Sequence, residues 1–146
     1  MSTTAANVVD LKGGKYKVAK EVAEAEFVRL CEANRIDLDT SDMTEDVQKE
    51  WDSLKDDIVR DIRLGTLIVG EDGKPTYTPP GASSGFTFNA ATGATFIAAR
   101  AKQNDIESTV LALADMARVD RGTFSKLHAR DFRACTRIAR LFLADR

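Results

Sequence analysis

Apolar residues recur with the period of an α-helix along most of this chain, and the pattern breaks once for a short β-like segment. The clearest stripe is Val47, Trp51, Leu54, Ile58 and Ile62, spaced four, three, four and four. That spacing puts all five on one side of a helix. Thr44 is placed to cap its start, and Glu45 and Asp46 fall in the first turn, where the helix dipole favours acids. Gly65 stands where a left-handed C-cap belongs. An earlier helix is expected over about residues 18–33, with Val22, Phe27, Leu30 and Cys31 as its apolar members. Residues 34–44 are polar and rich in turn formers. The first dozen residues are expected to be loose, with Gly13-Gly14 as a turn or flexible joint.

The period changes at Thr66-Leu67-Ile68-Val69. Gly70-Glu71-Asp72-Gly73 then leads into Lys74-Pro75-Thr76-Tyr77-Thr78. An Asp-Gly turn between two β-prone runs predicts a hairpin near residues 66–78, with Pro75 confining its strand to an edge. Pro79-Pro80-Gly81-Ala82-Ser83-Ser84-Gly85 has the composition of a linker. The expected organisation is an acidic helical module over 1–80 ending in the hairpin, a linker over 81–85, and a second helical module over 86–146. In the second module Phe86-Thr87-Phe88 predicts a short strand. Helical patterns follow over about 93–103, 105–118 and 123–144, the last broken near His128. Ile106, Val110, Leu113 and Ala117 share one face of the middle helix. Phe132, Cys135, Ile138, Ala139 and Phe142 line the buried side of the last. The fold class is therefore mainly α, one or more small helical domains with a short β-hairpin.

Composition narrows the possible functions. The 146 residues are 43% hydrophobic and 30% charged, which is globular, and no apolar run approaches the ~20 residues that span a bilayer. The N-terminus lacks the basic start and apolar stretch of a signal peptide, so a soluble, intracellular protein is expected. Net charge is -2, with no global pull towards nucleic acid or a membrane surface. The charge is unevenly placed, however. Residues 1–80 hold 11 Lys/Arg against 17 Asp/Glu, and residues 118–146 hold 8 against 3. Two distant cysteines, Cys31 and Cys135, both on apolar helical patterns, read as buried free thiols.

No reactive constellation emerges. His128 is the single histidine, between Lys126 and Arg130, and no spacing ties it to a serine or cysteine nucleophile. One histidine and two distant cysteines do not make a zinc site. Gly13-Gly14-Lys15 lacks the full P-loop frame, and residues 81–85 lack the strand and helix of a phosphate cradle. Asp46, Glu50, Asp57 and Asp61, with Asp56 beside them, occupy one side of the second helix. They are spaced to bind a divalent cation or act as an acid/base pair, but the interleaved Lys49, Lys55 and Arg60 also fit a solvated helix face. No catalytic residue, metal or cofactor is expected. Arg130, Arg133, Arg137 and Arg140, three, four and three apart, form a stripe on the last helix. Such a stripe can pair with the acidic second helix within or between chains, contact another protein, or track phosphates. Arg121-Gly122 offers the tight turn of a helix–turn–helix. The acidic chain and the lack of interleaved Asn or Gln make nucleic acid the weakest of these partners.

The segments Phe86-Thr87-Phe88, Ala91-Thr92-Gly93-Ala94-Thr95-Phe96, Val110-Leu111-Ala112-Leu113-Ala114 and Asp120-Arg121-Gly122-Thr123-Phe124 follow in that order. Leu127-His128-Ala129-Arg130-Asp131-Phe132 then leads to Ile138 and Phe142-Leu143. Through this order, and most through the Leu-x-x-x-Asp ahead of a final amphipathic helix, residues 86–143 resemble the tail assembly chaperones of long-tailed bacteriophages. Residues 1–80 are an extension that short members of that family lack. The resemblance implies a non-enzymatic helper in the cytoplasm of the bacterial host. Such a helper binds the tape-measure protein, assists tail-tube subunits and leaves the finished virion. Its expected apolar groove draws on Ile106, Val110, Leu113, Leu141 and Phe142, each of which also reads as plain core. A structural tail or connector component retained in the virion, and a small nucleic-acid-binding regulator using the arginine stripe, are the alternatives. The chaperone reading also allows self-association.

Overall fold

The computed structural model describes residues 15–100 and 105–144. The expected Gly13-Gly14 joint, the loose start and the end of the 93–103 helix lie outside them. The chain runs α1 (Lys20–Ala33), α2 (Glu45–Leu64), β1 (Leu67–Val69), β2 (Pro75–Tyr77), β3 (Phe86–Thr87), α3 (Gly93–Ala99), α4 (Asp105–Ala117), α5 (Arg121–Ser125) and α6 (Ala129–Phe142). It is mainly helical with one small antiparallel sheet, ordered β1-β2-β3.

Local chemistry explains most boundaries. Thr44 caps α2, its hydroxyl accepting from the Val47 N–H at 3.4 Å, and Gly65 ends the helix at φ 83°, where a side chain would be strained. In α2 Trp51, Leu54, Ile58 and Ile62 are buried, but Val47 at the end of the stripe stays 46% exposed. In α1 the inward set is Ala23, Phe27, Leu30 and Cys31, while Val22 is 52% exposed. The small Ala23 lets α1 lie close, and Val22 falls one residue off the buried face. The Phe27 and Trp51 rings meet edge-on at 6.1 Å, joining α1 to α2.

The hairpin forms with Leu67 opposite Tyr77 and Val69 opposite Pro75. Gly73 supplies its positive φ of 84° and lies so close to α1 that a Cβ there would come within 2.2 Å of the Ala33 Cβ. Arg29 of α1 clasps the turn, donating to the Val69 carbonyl at 2.8 Å and the Gly70 carbonyl at 2.6 Å. Pro75 does not confine its strand to an edge, because β3 pairs on the far side and makes β2 central. The proline is tolerated because it opens the strand. It has no N–H to satisfy, and its carbonyl accepts from the Phe88 N–H at 2.9 Å.

Residues 81–85, expected to link two modules, instead connect neighbouring strands of this one sheet. One core cluster draws on both sides of the loop, from Phe27 and Ile58 through Tyr77 and Phe88 to Phe124 and Ile138. Phe124 of α5 stacks against Phe86 and Phe88, with centroids 4.9 Å and 6.2 Å away.

α4 is rotated from its expected face. It buries Ser108, Ala112, Leu113 and Met116, and Ile106 is 65% exposed. The small Ser108 and Ala112 allow close helix packing, and Thr95 of α3 fixes the partner helix by donating to the Asp115 carboxylate. The turn after α4 is made by Arg118 at φ 57°, not by Gly122, which lies inside α5 under a cap from Asp120. The break at His128 is as expected. Its imidazole Nδ1 accepts from the Arg130 N–H at 3.0 Å and caps α6.

Candidate functional site

α6 places the functional residues because its two flanks face different neighbours. Towards α2, Arg137 donates to Asp61 at 3.2 Å, both side chains being largely withdrawn from water. Burial raises the Asp61 pKa, and the Arg137 guanidinium opposes that rise. Arg137 Nε is itself buried without a hydrogen-bond partner among the described residues. One arginine of the expected stripe is thus committed within the chain, to the acidic helix. Six residues before it, Asp131 accepts a 2.7 Å hydrogen bond from the Tyr77 hydroxyl, pinning the sheet to α6. Burial, then that bond, pushes the Tyr77 hydroxyl pKa up. Lys17, Asp61, Thr66, Tyr77 and Arg130 border an open cavity of about 500 Å³ at this junction.

Towards α4 the surface is more apolar. Ile106 stands where two clefts meet. One, of about 510 Å³, lies against α5 and includes Val110 and Arg121. The other, of about 410 Å³, lies against α6 and includes Ala129, Phe132 and Arg133. Thr109 and Arg140 carry the depression further along α6 to Leu143. Phe132 and Phe142 are partly buried against the core.

The expected groove residues therefore divide. Ile106 and Val110 line the clefts, whereas Leu113 and Leu141 are 0% and 1% exposed and belong to the core. The groove assignment is corrected for those two, because each points beneath its helix and not along the α4–α6 seam. Phe142 supports the core edge. Arg130, Arg133 and Arg140 are exposed, and Arg137 is not free to meet a partner. The residues missed from sequence, Thr109, Ala129, Phe132 and Thr136, come from two helices. Only the small and aromatic positions beside the arginine stripe hinted at them.

Cys31 and Cys135 are buried free thiols, both pushed up to about 12 by burial. His128 is an exposed helix cap. No cluster of three or more metal-ligating side chains occurs among the described residues, and none of the described helices is long and apolar enough to cross a membrane. Comparison of the chain with protein-family models, curated proteins and solved structures gives no match.

Proposed function

We propose that this protein is a non-enzymatic assembly chaperone of the phage or prophage tail kind, which works in the bacterial host cytoplasm by holding a helical segment of its client. The observation that carries the reading is Ile106. It is a large aliphatic side chain, 65% exposed, at the junction of two open clefts whose other apolar members are Val110 and Phe132. A client helix sets one apolar side chain beside Ile106 and a carboxylate near Arg133 or Arg121, the arrangement of helix-in-groove recognition. The sequence resemblance of residues 86–143 supplies the client class: the long tape-measure protein, with tail-tube subunits assembling around it.

The test is co-expression with that client. The wild-type chain raises the client's soluble fraction and co-purifies with it, and Ile106→Asp abolishes both while leaving the circular dichroism spectrum unchanged. A client whose solubility is indifferent to the chain, with nothing co-purifying, defeats the proposal. Detection of the chain in purified virions by mass spectrometry favours a retained structural component. The exposure of Arg130, Arg133 and Arg140 supports a nucleic-acid reading as well. A gel shift at ~50 mM salt, where phosphate contacts are strongest, decides it.

A further inference from the structure

We propose that the face shared by α2 and α6 is self-complementary, and that two copies of this chain pair through it across a twofold axis running along the helices. This goes beyond the chaperone reading and stands independently of it.

Three observations build the face. First, α2 and α6 run antiparallel side by side: Asp61 meets Arg137, Glu50 and Leu54 share a cleft with Arg140 and Ala144, and Leu64 shares another cavity with Ala134. Second, at 100° per residue, Asp46, Glu50 and Asp57 lie within about 40° of one another around α2. They sit next to Asp61, on the edge that borders α6. Arg130, Arg133 and Arg140 span about 80° around α6 and flank Arg137; Arg130 and Arg140 border cavities shared with α2, and Arg133 and Arg140 also border the α4 side. Third, all six of these charged side chains are exposed. None takes part in the ion pairs within 4.0 Å among the described residues, which are Arg29–Glu26, Lys49–Glu45, Lys74–Asp72 and Arg137–Asp61. An acid ridge, edged on its outer side by Lys49 and Arg60, and a positive ridge therefore run next to each other, joined at one buried pair.

A half-turn about an axis parallel to the ridges exchanges left and right and preserves height along the helices. The acid ridge of each copy then faces the basic ridge of the other, which is the condition for a closed, isologous pair. Because Glu50 and Arg140 border one cleft within a chain, Arg140 of one copy comes level with the stretch of α2 between Glu50 and Asp57 of the other. Val47, 46% exposed, and Met43 line the same cleft and add apolar surface beside the charges. Exposed ion pairs each contribute little to affinity. Charge therefore sets register and orientation, and the pairing is weak and sensitive to salt.

Sedimentation equilibrium of the full chain over about 10–300 µM, the range suited to a weak association, tests this at low salt and at ~0.5 M. The expected result is a dimer that weakens at high salt. Arg140→Glu, and separately Glu50→Lys with Asp57→Lys, each raise the dissociation constant at least about tenfold. Mixing the two variants restores a dimer containing one of each, since the glutamate introduced in one chain then faces the lysines introduced in the other, while the unreversed Arg140 faces the unreversed Glu50 and Asp57. The uncharged Arg140→Gln and Glu50→Gln variants weaken pairing less than the reversals, with circular dichroism confirming that every variant is folded. A wild-type chain that is monomeric throughout, a dimer indifferent to the reversals, or variants that fail to pair when mixed would overturn the proposal.

Discussion

Helix α4 is the more apolar of the pair and α2 the more charged, yet α2 met its expected face and α4 turned away from it. In α2 the large side chains Trp51, Leu54, Ile58 and Ile62 form a single stripe against a strongly charged remainder, so only one orientation buries them. In α4 apolar and small residues surround the helix, and its acids sit mainly at the start. Several orientations bury similar area there. Close approach to α3 through Ser108 and Ala112 selects one, at the cost of leaving Ile106 in water. The difference teaches that amphipathic contrast, more than hydrophobicity, makes a helix face legible. It also teaches that the ambiguous helix is the one that leaves a large aliphatic side chain, Ile106, exposed.

The sharpest way to break this comparison is truncation at one position on each helix. Ile58→Ala, at a side chain with no exposure in α2, is expected to cost about 3–4 kcal/mol in urea unfolding through lost burial and a cavity. Ile106→Ala in α4 is expected to stay within about 0.5 kcal/mol. Comparable losses at the two sites would erase the distinction. A smaller effect probes the junction of α2 with α6. Arg137→Ala strands the Asp61 carboxylate and costs about 2 kcal/mol, below the figure for a fully buried pair because both groups retain some contact with water. Asp61→Leu combined with Arg137→Met is expected to recover most of that loss, since an apolar pair of similar size carries no desolvation penalty.

A pH-dependent test compares the thiols of α1 and α6. Cys31 and Cys135 ionise near 9.0 when unfolded and at about 12 when folded. Stability from both is fully present below pH 9 and is lost as pH rises towards 12, because only the unfolded state releases its protons in that window. Urea midpoints should fall between pH 8.5 and 10.5, and the fall should flatten in a Cys31→Ala, Cys135→Ala double variant. Iodoacetamide at pH 8 should modify neither thiol until the chain is unfolded. Rapid labelling of one of them would show that its helix opens locally.

Much of the molecule was legible from its residues. Thr44 and Gly65 delimited α2 because a hydroxyl cap and a positive φ are local requirements. The Asp-Gly hairpin, the β-like Phe86-Thr87 and the break at His128 were legible for the same reason. Pro75 was assigned to an edge because sequence reveals the missing N–H but not a third strand arriving eleven residues later. The loop over 81–85 looked like a boundary because its composition is a linker's. Only the shared packing of Phe86 and Phe88 with Phe124 makes it internal to one core.

The candidate site divides the same way. Sequence by itself determined the arginine stripe and the acidic helix, because charge order and residue type are properties of the chain. Only the tertiary structure decided that Arg137 turns inward to Asp61 while Arg130, Arg133 and Arg140 face water. It alone decided that Leu113 and Leu141 are core, and that Ile106 meets Phe132 and Arg133 across a cleft. The physical reason is range. Caps, turns and helix faces are fixed by neighbours within a few residues, whereas the side of a helix left open to a partner is set by whichever distant element packs against the rest of it.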